Sequence, residues 1–291
     1  MLVAEGSGRR VHVVEGGRLR LDGGAMFGVV PKPLWSRRIA PDERNRIPLA
    51  MRCLLIETAE DRILVDTGLG NKESEKFRDI YGVENDGAPT RLEDSLRVLG
   101  VEPEGVDLVI NTHLHFDHAG GNTRRAEDGS VRASFPNARY VIRRGEWDFA
   151  RVDNERIRAS YLPDNFVLLA AEGRIDFVGE AEEEEIVPGV RVLRTPGHTP
   201  HHQSVLVDVG DRQVCFVADL VPTVAHLSLP WIMGYDVEPL VTLESKRRLL
   251  GRAAAEGWLL VFEHDPVVAW GRAVAPERGD AGCGLADEVR V

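Results

Sequence analysis

The sequence predicts an α+β protein in which two β-sheets carry helices on their outer sides. Apolar runs of strand length recur along the chain, some paired as hairpins and some standing singly between helical segments. A doubly wound parallel sheet would alternate strand and helix throughout, so the mixed order favours two sheets. Several of these runs also end in a histidine or an aspartate, which places candidate functional groups at strand exits.

In chain order, residues 53–57 (CLLIE) and 62–66 (RILVD) are strands joined by the polar turn 58–61, a hairpin signal. Residues 90–99 carry Leu92, Leu96 and Leu99 at spacings of four and three, one apolar helical face, and Gly100 is the stop. Residues 106–110 (VDLVI) read as a buried strand. Further strands fall at 138–142, 190–193, 203–207, 214–217 and 258–262. A second helix over 241–256 follows Pro239, carries Leu243, Leu249, Leu250 and Ala254, and stops at Gly257. The acidic run 181–186 is a solvated loop or a strand edge with no function assigned. Residues 1–50 are expected to be an N-terminal access-loop region. Residues 277–291, rich in Gly and charge, are expected to fray. No repeat or linker divides the chain, so 1–291 is expected to be one domain.

A net charge of -11 argues against a nucleic acid as main partner, since phosphates call for a basic footprint. The partner expected is a small-molecule substrate, and a homodimer is compatible with the composition. Cys53, Cys215 and Cys283 are scattered and odd in number, which is neither a disulfide framework nor a thiolate metal site. The first residues lack a basic stretch followed by a long apolar one, and no apolar run approaches a membrane span. A cytoplasmic protein with no membrane partner is the expectation.

The densest signal is NTHLHFDHAGGN at 111–122, which follows the apolar strand directly. His113 and His115 are two apart, so an extended backbone turns both imidazoles to one side. Asp117 and His118 come next, and 119–121 (AGG) let the backbone turn. Two imidazoles on one face suit a zinc-like ion, and the other two groups could serve a second ion. Two ions need more ligands than these four. His198 in RTPGHTP, Asp219 closing VCFVAD and His264 ending LLVFEH each stand at a strand exit and supply them.

HLHFDH, TPGHTP, the strand-terminal Asp219 and FEHD, with VDTG at 65–68 preceding them, resemble in order the motifs of metallo-β-lactamase-fold hydrolases. That resemblance implies an αββα sandwich, two mixed sheets packed face to face with helices on both outer sides and a metal site at one rim. It implies two divalent metal ions, zinc by preference with iron or manganese as alternatives. His113, His115 and His198 would bind one ion, and Asp117, His118 and His264 the other, with Asp219 bridging. Asp66 matches the aspartate that orients a ligand histidine.

Such a centre activates a bridging hydroxide, and Asp117 could accept and then return a proton. The expected reaction is hydrolysis of a small ester or lactone. Residues 21–35 resemble the corresponding segment of the N-acyl homoserine lactonase-like branch, so Met26, Phe27 and Trp35 are candidate acyl-pocket residues. Trp231 and Met233, after Asp219, are candidates for the same wall. One departure stands out. Lactonases of that type carry a tyrosine three residues beyond the bridging aspartate, and Pro222 occupies that place here. Either another donor replaces that tyrosine, with His226 and Tyr235 the candidates, or the substrate is not a homoserine lactone. Other reactions of the fold remain as alternatives. A glyoxalase II-type thioesterase would carry a basic helical tail that 265–291 lacks. A phosphodiesterase or nuclease would show a basic groove, and a diiron redox protein would need a flavin module.

Overall fold

The computed structural model describes residues 1–87, 89–276 and 282–291. Its strands are β1 (Leu2–Gly6), β2 (Arg9–Asp22), β3 (Arg46–Glu57), β4 (Arg62–Val65), β5 (Leu108–Ile110), β6 (Thr123–Arg125), β7 (Val131–Ala133) and β8 (Arg139–Arg143). They continue with β9 (Ile175–Val178), β10 (Glu183–Val187), β11 (Val190–Arg194), β12 (Gln203–Val209), β13 (Arg212–Phe216), β14 (Leu259–Val261), β15 (Val268–Val274) and β16 (Gly284–Arg290). Among the described residues they form two seven-stranded sheets, ordered β1-β2-β3-β4-β5-β8-β9 and β10-β11-β12-β13-β14-β15-β16, and the hairpin β6-β7. The chain groups into two compact units, Met1–Arg18 with Met51–Ala181, and Leu19–Ala50 with Glu182–Val291.

In the first unit β4, β5, β8 and β9 are mutually parallel. Parallel neighbours require a crossover, and the helix Arg91–Val98 lies on the one between β4 and β5. Thr90 caps that helix, its hydroxyl accepting from the Glu93 N–H. Leu92 and Leu96 bury against Leu55, Leu64 and Val109, each worth roughly 1.5–3 kcal/mol of apolar burial. The register pairs Val65 with Ile110. The residues that follow, Asp66 and Asn111, therefore leave the sheet side by side at the carboxyl ends of parallel strands, a place where open sheets gather functional groups.

The second unit repeats this logic. β13 and β14 are parallel with Phe216 opposite Val261. Asp219 and His264 each stand three residues beyond that pair, so both exit the same edge. β11 is antiparallel to β12 and β12 to β13, so β11 points the same way as β13 and its exit leads to His198. The long helix Pro239–Glu256 closes with Gly257 in the left-handed conformation. It buries Leu249, Leu250 and Ala253 against Leu206, Cys215 and Leu260.

Two expectations need correction. Residues 1–50 are not an access loop. They hold β1, the fourteen-residue β2, the start of β3 and two short helices, Gly23–Phe27 and Lys32–Trp35. Of the tail, 277–281 lie outside the described residues, while Gly284–Arg290 does not fray but pairs with β15. The acidic run contributes β10, an edge strand whose Glu183 pairs with Arg191 and Arg252; charge on an edge discourages further strand addition. Among the described residues no helix is long and apolar enough to cross a membrane.

Candidate metal centre

In the first unit, His113, His115, Asp117 and His118 are all buried at the exit of β5. Tight backbone packing holds the loop that carries them. The His118 carbonyl accepts from the Thr67 N–H at 2.7 Å and from its hydroxyl at 3.0 Å. A Cβ at Gly121 would stand 2.1 Å from the Thr67 carbonyl oxygen, and one at Gly120 2.2 Å from that of Leu69. Only glycine allows this approach. Lys72 donates to the Gly120 and Thr123 carbonyls at 2.5 Å each, fixing the far end of the loop. Asp66, with φ of 55°, sits in the strained left-handed region. One of its oxygens accepts from the Thr112 N–H at 2.8 Å; the other accepts from the Thr112 hydroxyl at 2.6 Å and from His118 Nδ1 at 3.0 Å.

That network sets the tautomers. Since the Thr112 hydroxyl gives its proton to Asp66, its oxygen accepts from His113 Nδ1 at 3.1 Å. His113 and His118 therefore carry their protons on Nδ1 and keep Nε2 as a lone-pair donor. The rings of His113 and His118 lie 3.9 Å apart between centroids, and those of His113 and His115 4.5 Å. Glu146 and Tyr161 support the segment from behind. Glu146 accepts from the Leu114 N–H at 3.0 Å and from the Tyr161 hydroxyl at 2.8 Å, and the Tyr161 ring lies edge-on to His115.

In the second unit, His198, Asp219 and His264 converge. Asp219 Oδ2 lies 3.0 Å from His198 Nε2, and its Oδ1 lies 3.0 Å from His264 Nε2. His198 gives its Nδ1 proton to Asp236 at 2.9 Å and His264 gives its own to the Ala50 carbonyl at 2.8 Å. Both Nε2 atoms are thus lone pairs facing carboxylate oxygens. Two electron-rich atoms at that distance repel unless a cation or proton lies between them, so the donor set fits a divalent ion. Ala218, at φ of 46°, forces the turn that aims Asp219. Beyond it, His264 N donates to the Pro222 carbonyl at 3.1 Å.

The seven ligand-type residues are His113, His115, Asp117 and His118 from the first unit and His198, Asp219 and His264 from the second, all buried. Residues 48–264 match the model of the metallo-beta-lactamase superfamily. The chain belongs to that superfamily. Within it the chain is related to the N-acyl homoserine lactonase branch. It is 30% identical over 282 residues to an N-acyl homoserine lactonase of a Bacillus species, covering 93% of this chain and 96% of that one. It is 32% identical over 244 residues to one from Bacillus cereus, covering 80% and 88%. A solved structure from Staphylococcus aureus, described as a probable metal-dependent hydrolase, superposes with a TM-score of 0.84 at 29% identity over 97% of this chain and 98% of that one. The architecture is accordingly the α+β sandwich of two mixed sheets flanked by helices, and this superfamily member is a metal-dependent hydrolase carrying the ligand set of a dinuclear centre.

Residues outside the ligand set are placed less as the sequence suggests. His226 is fully buried. Its Nε2 proton goes to the Met26 carbonyl at 2.9 Å, and its Nδ1 accepts from the Thr223 hydroxyl at 2.8 Å. Burial, with Lys246 nearby, pulls its pKa down to about 3, so it is neutral and has no second N–H to offer. Both ring nitrogens of His226 are thus engaged within the packing. Met26, Phe27 and Trp35 pack around it. All three are buried, with the Phe27 ring stacked at 5.3 Å from Trp35 and 4.9 Å from His226 and meeting Trp231 edge-on. Trp231 is only half-buried and lines a groove of about 780 Å³ with Arg38, Ile39 and Leu285, whereas Met233 is buried. Tyr235 is 37% exposed.

Sequence reasoning missed three contributors. Asp236, which holds His198, lies on an irregular segment with no periodic signal. The Glu146–Tyr161 pair is distant in sequence from the strand it supports. The third is aromatic: Phe116, inside HLHFDH, meets Phe77 at 5.0 Å and Tyr81 at 5.5 Å, both from the helix Glu75–Tyr81. An aromatic residue between two ligands, with others four apart on a helix downstream of VDTG, was the available clue.

Proposed function

We propose that the chain is a dizinc lactonase acting on N-acyl lactones, with His113, His115 and His198 holding one ion, Asp117, His118 and His264 the other, and Asp219 shared. The observation that carries the reading is the Asp219 carboxylate, each oxygen 3.0 Å from the Nε2 of a different histidine whose Nδ1 is already committed. Relatives at 30% and 32% identity that are N-acyl homoserine lactonases support the substrate class.

When bound, two divalent cations acidify a water and draw electron density from the carbonyl under attack. The chain's own residues do the rest. Asp66, Asp236 and the Ala50 carbonyl keep His118, His198 and His264 in the tautomer that presents Nε2. Asp117 accepts the proton of the attacking water and passes it to the ring oxygen as the acyl–oxygen bond breaks, so that lactone and water become a hydroxy acid. With Pro222 lacking a donor and His226 fully engaged, the phenol of Tyr235 steadies the carbonyl oxygen. It is the residue before Asp236, which already holds a ligand. The Phe77, Tyr81 and Phe116 group offers an apolar surface for the acyl chain.

The test is elemental analysis of protein purified without added metal, joined to a hydrolysis panel of acyl lactones, aryl esters, thioesters and phosphodiesters. Two zinc ions per chain and preferential lactone turnover are expected. Two bound ions with no lactone turnover would refute the substrate reading, and fewer than two ions would refute the centre.

A further inference from the structure

Lys246 is a lysine where the second unit's core would accept a leucine. Its side chain is completely buried on the helix Pro239–Glu256, and burial lowers its pKa to about 7. A buried ammonium persists only with its protons well placed, and here they are. Nζ donates to the carbonyls of Ser228, Leu229 and Trp231 at 2.8, 3.3 and 2.7 Å. Those carbonyls begin the irregular segment 228–236. That segment ends at Asp236, whose Oδ1 accepts from His198 Nδ1 at 2.9 Å.

The same helix grips the other member of this pair. Ser245 Oγ donates to the Pro196 carbonyl at 2.7 Å. Gly197, at φ of 136°, has Thr242 so close that a Cβ would stand 2.3 Å from its nitrogen. Thr242, Ser245 and Lys246 are at i, i+3 and i+4, one face of the helix. One rigid element thus fixes both the turn bearing His198 and the segment bearing its carboxylate partner.

We infer that Lys246 is a positioning residue for the metal centre, holding residues 228–231 so that Asp236 stays against the Nδ1 of His198. This rests on the reading of His198 as a ligand. Lys246 touches neither ion nor substrate; its effect passes through Asp236, and that route separates positioning from general support of the fold.

The experiment is a double-mutant cycle on zinc affinity, read by chelator competition and by zinc per chain after dialysis, in the parent, Lys246→Met, Asp236→Asn and the double variant. Asp236→Asn is expected to weaken one of the two ions roughly 10- to 100-fold, as loss of an orienting partner does. Lys246→Met is expected to weaken the same ion by about five-fold or more, and to add less than about two-fold once Asp236 is Asn. Should Lys246→Met fail to fold, Lys246→Gln, which keeps an amide donor, goes through the same cycle with a smaller expected loss of the same pattern. Zinc affinity unchanged by the Lys246 variant, or lowered equally in both backgrounds, would overturn the inference while leaving the dizinc reading intact. A parent holding fewer than two ions would instead remove that reading, and the inference with it.

Discussion

His226→Phe is the substitution that best separates packing from catalysis in this protein. A phenyl ring keeps the volume and the stack on Phe27, whose ring lies 4.9 Å away and nearly parallel. It deletes the bonds to the Met26 carbonyl and the Thr223 hydroxyl. Leaving buried partners unsatisfied costs about 1–3 kcal/mol. The variant should thus be less stable at pH 7.5, by urea unfolding of the chelator-treated protein, with catalytic turnover of the metal-loaded enzyme within a few-fold of the parent. Acid then narrows the gap. The folded pKa of about 3 lies below the usual 6.5, so the unfolded state binds more protons between those values and stability falls as pH falls through that window. At pH 5 the parent loses about 2 kcal/mol from this group relative to pH 7, and the variant does not. Every other ionisable side chain is common to both proteins, so the difference between the two pH curves isolates His226. Parallel curves from pH 7.5 to 5, or a turnover loss of a hundred-fold or more, would refute the assignment to packing.

Three further outcomes are expected. Asp219→Ala removes the carboxylate shared by His198 and His264, so zinc content should fall from two ions to one or fewer and lactone turnover by at least about a hundred-fold; unchanged metal content would refute the shared role. Asp66→Asn deletes the charged acceptor of His118 Nδ1 and should weaken zinc binding roughly 10- to 100-fold, checked by chelator competition; parent-like affinity would refute an orienting role. Phe77→Ala opens the aromatic group against Phe116 and should raise KM for long-chain acyl lactones several-fold more than for short-chain ones, measured as a chain-length series; an equal effect across the series would show that the acyl chain does not lie there.

All seven ligand-type residues could be picked from sequence because the fold puts them where sequence patterns are sharpest, directly beyond apolar strands. β4 and β5 run parallel in register, as do β13 and β14, so an apolar run ending in Asp or His is a real spatial marker. Asp66 was legible for the same reason, and Asp236 was not. It stands seventeen residues beyond Asp219 on a segment held by backbone bonds to Lys246 rather than by a periodic apolar face. Strand β2 was missed for a different cause. Its alternation of buried and exposed residues is interrupted by Gly16 and Gly17, which look like loop punctuation. A Cβ at Gly16 would stand 2.8 Å from the Met51 carbonyl oxygen, and Gly17 has φ of 115°, so these glycines serve close strand approach and a backbone angle that side chains rarely adopt.

The roles of Met26, Phe27, Trp35 and His226 were hard to read from sequence for one physical reason. Apolar and aromatic residues in a Gly-rich stretch can wall a pocket or plug one, and composition does not distinguish the two. What decides is whether each polar atom among them is already spent. Here the only N–H of neutral His226 is donated to the Met26 backbone, and the aromatic rings close on one another. The same test applied to two ligand-type histidines gives the opposite answer. In His198 and His264 the Nδ1 proton is spent and Nε2 is turned toward a carboxylate that cannot donate to it. A histidine satisfied at both nitrogens holds structure together. One whose Nδ1 donates its proton and whose Nε2 lone pair faces an anion is built for a cation.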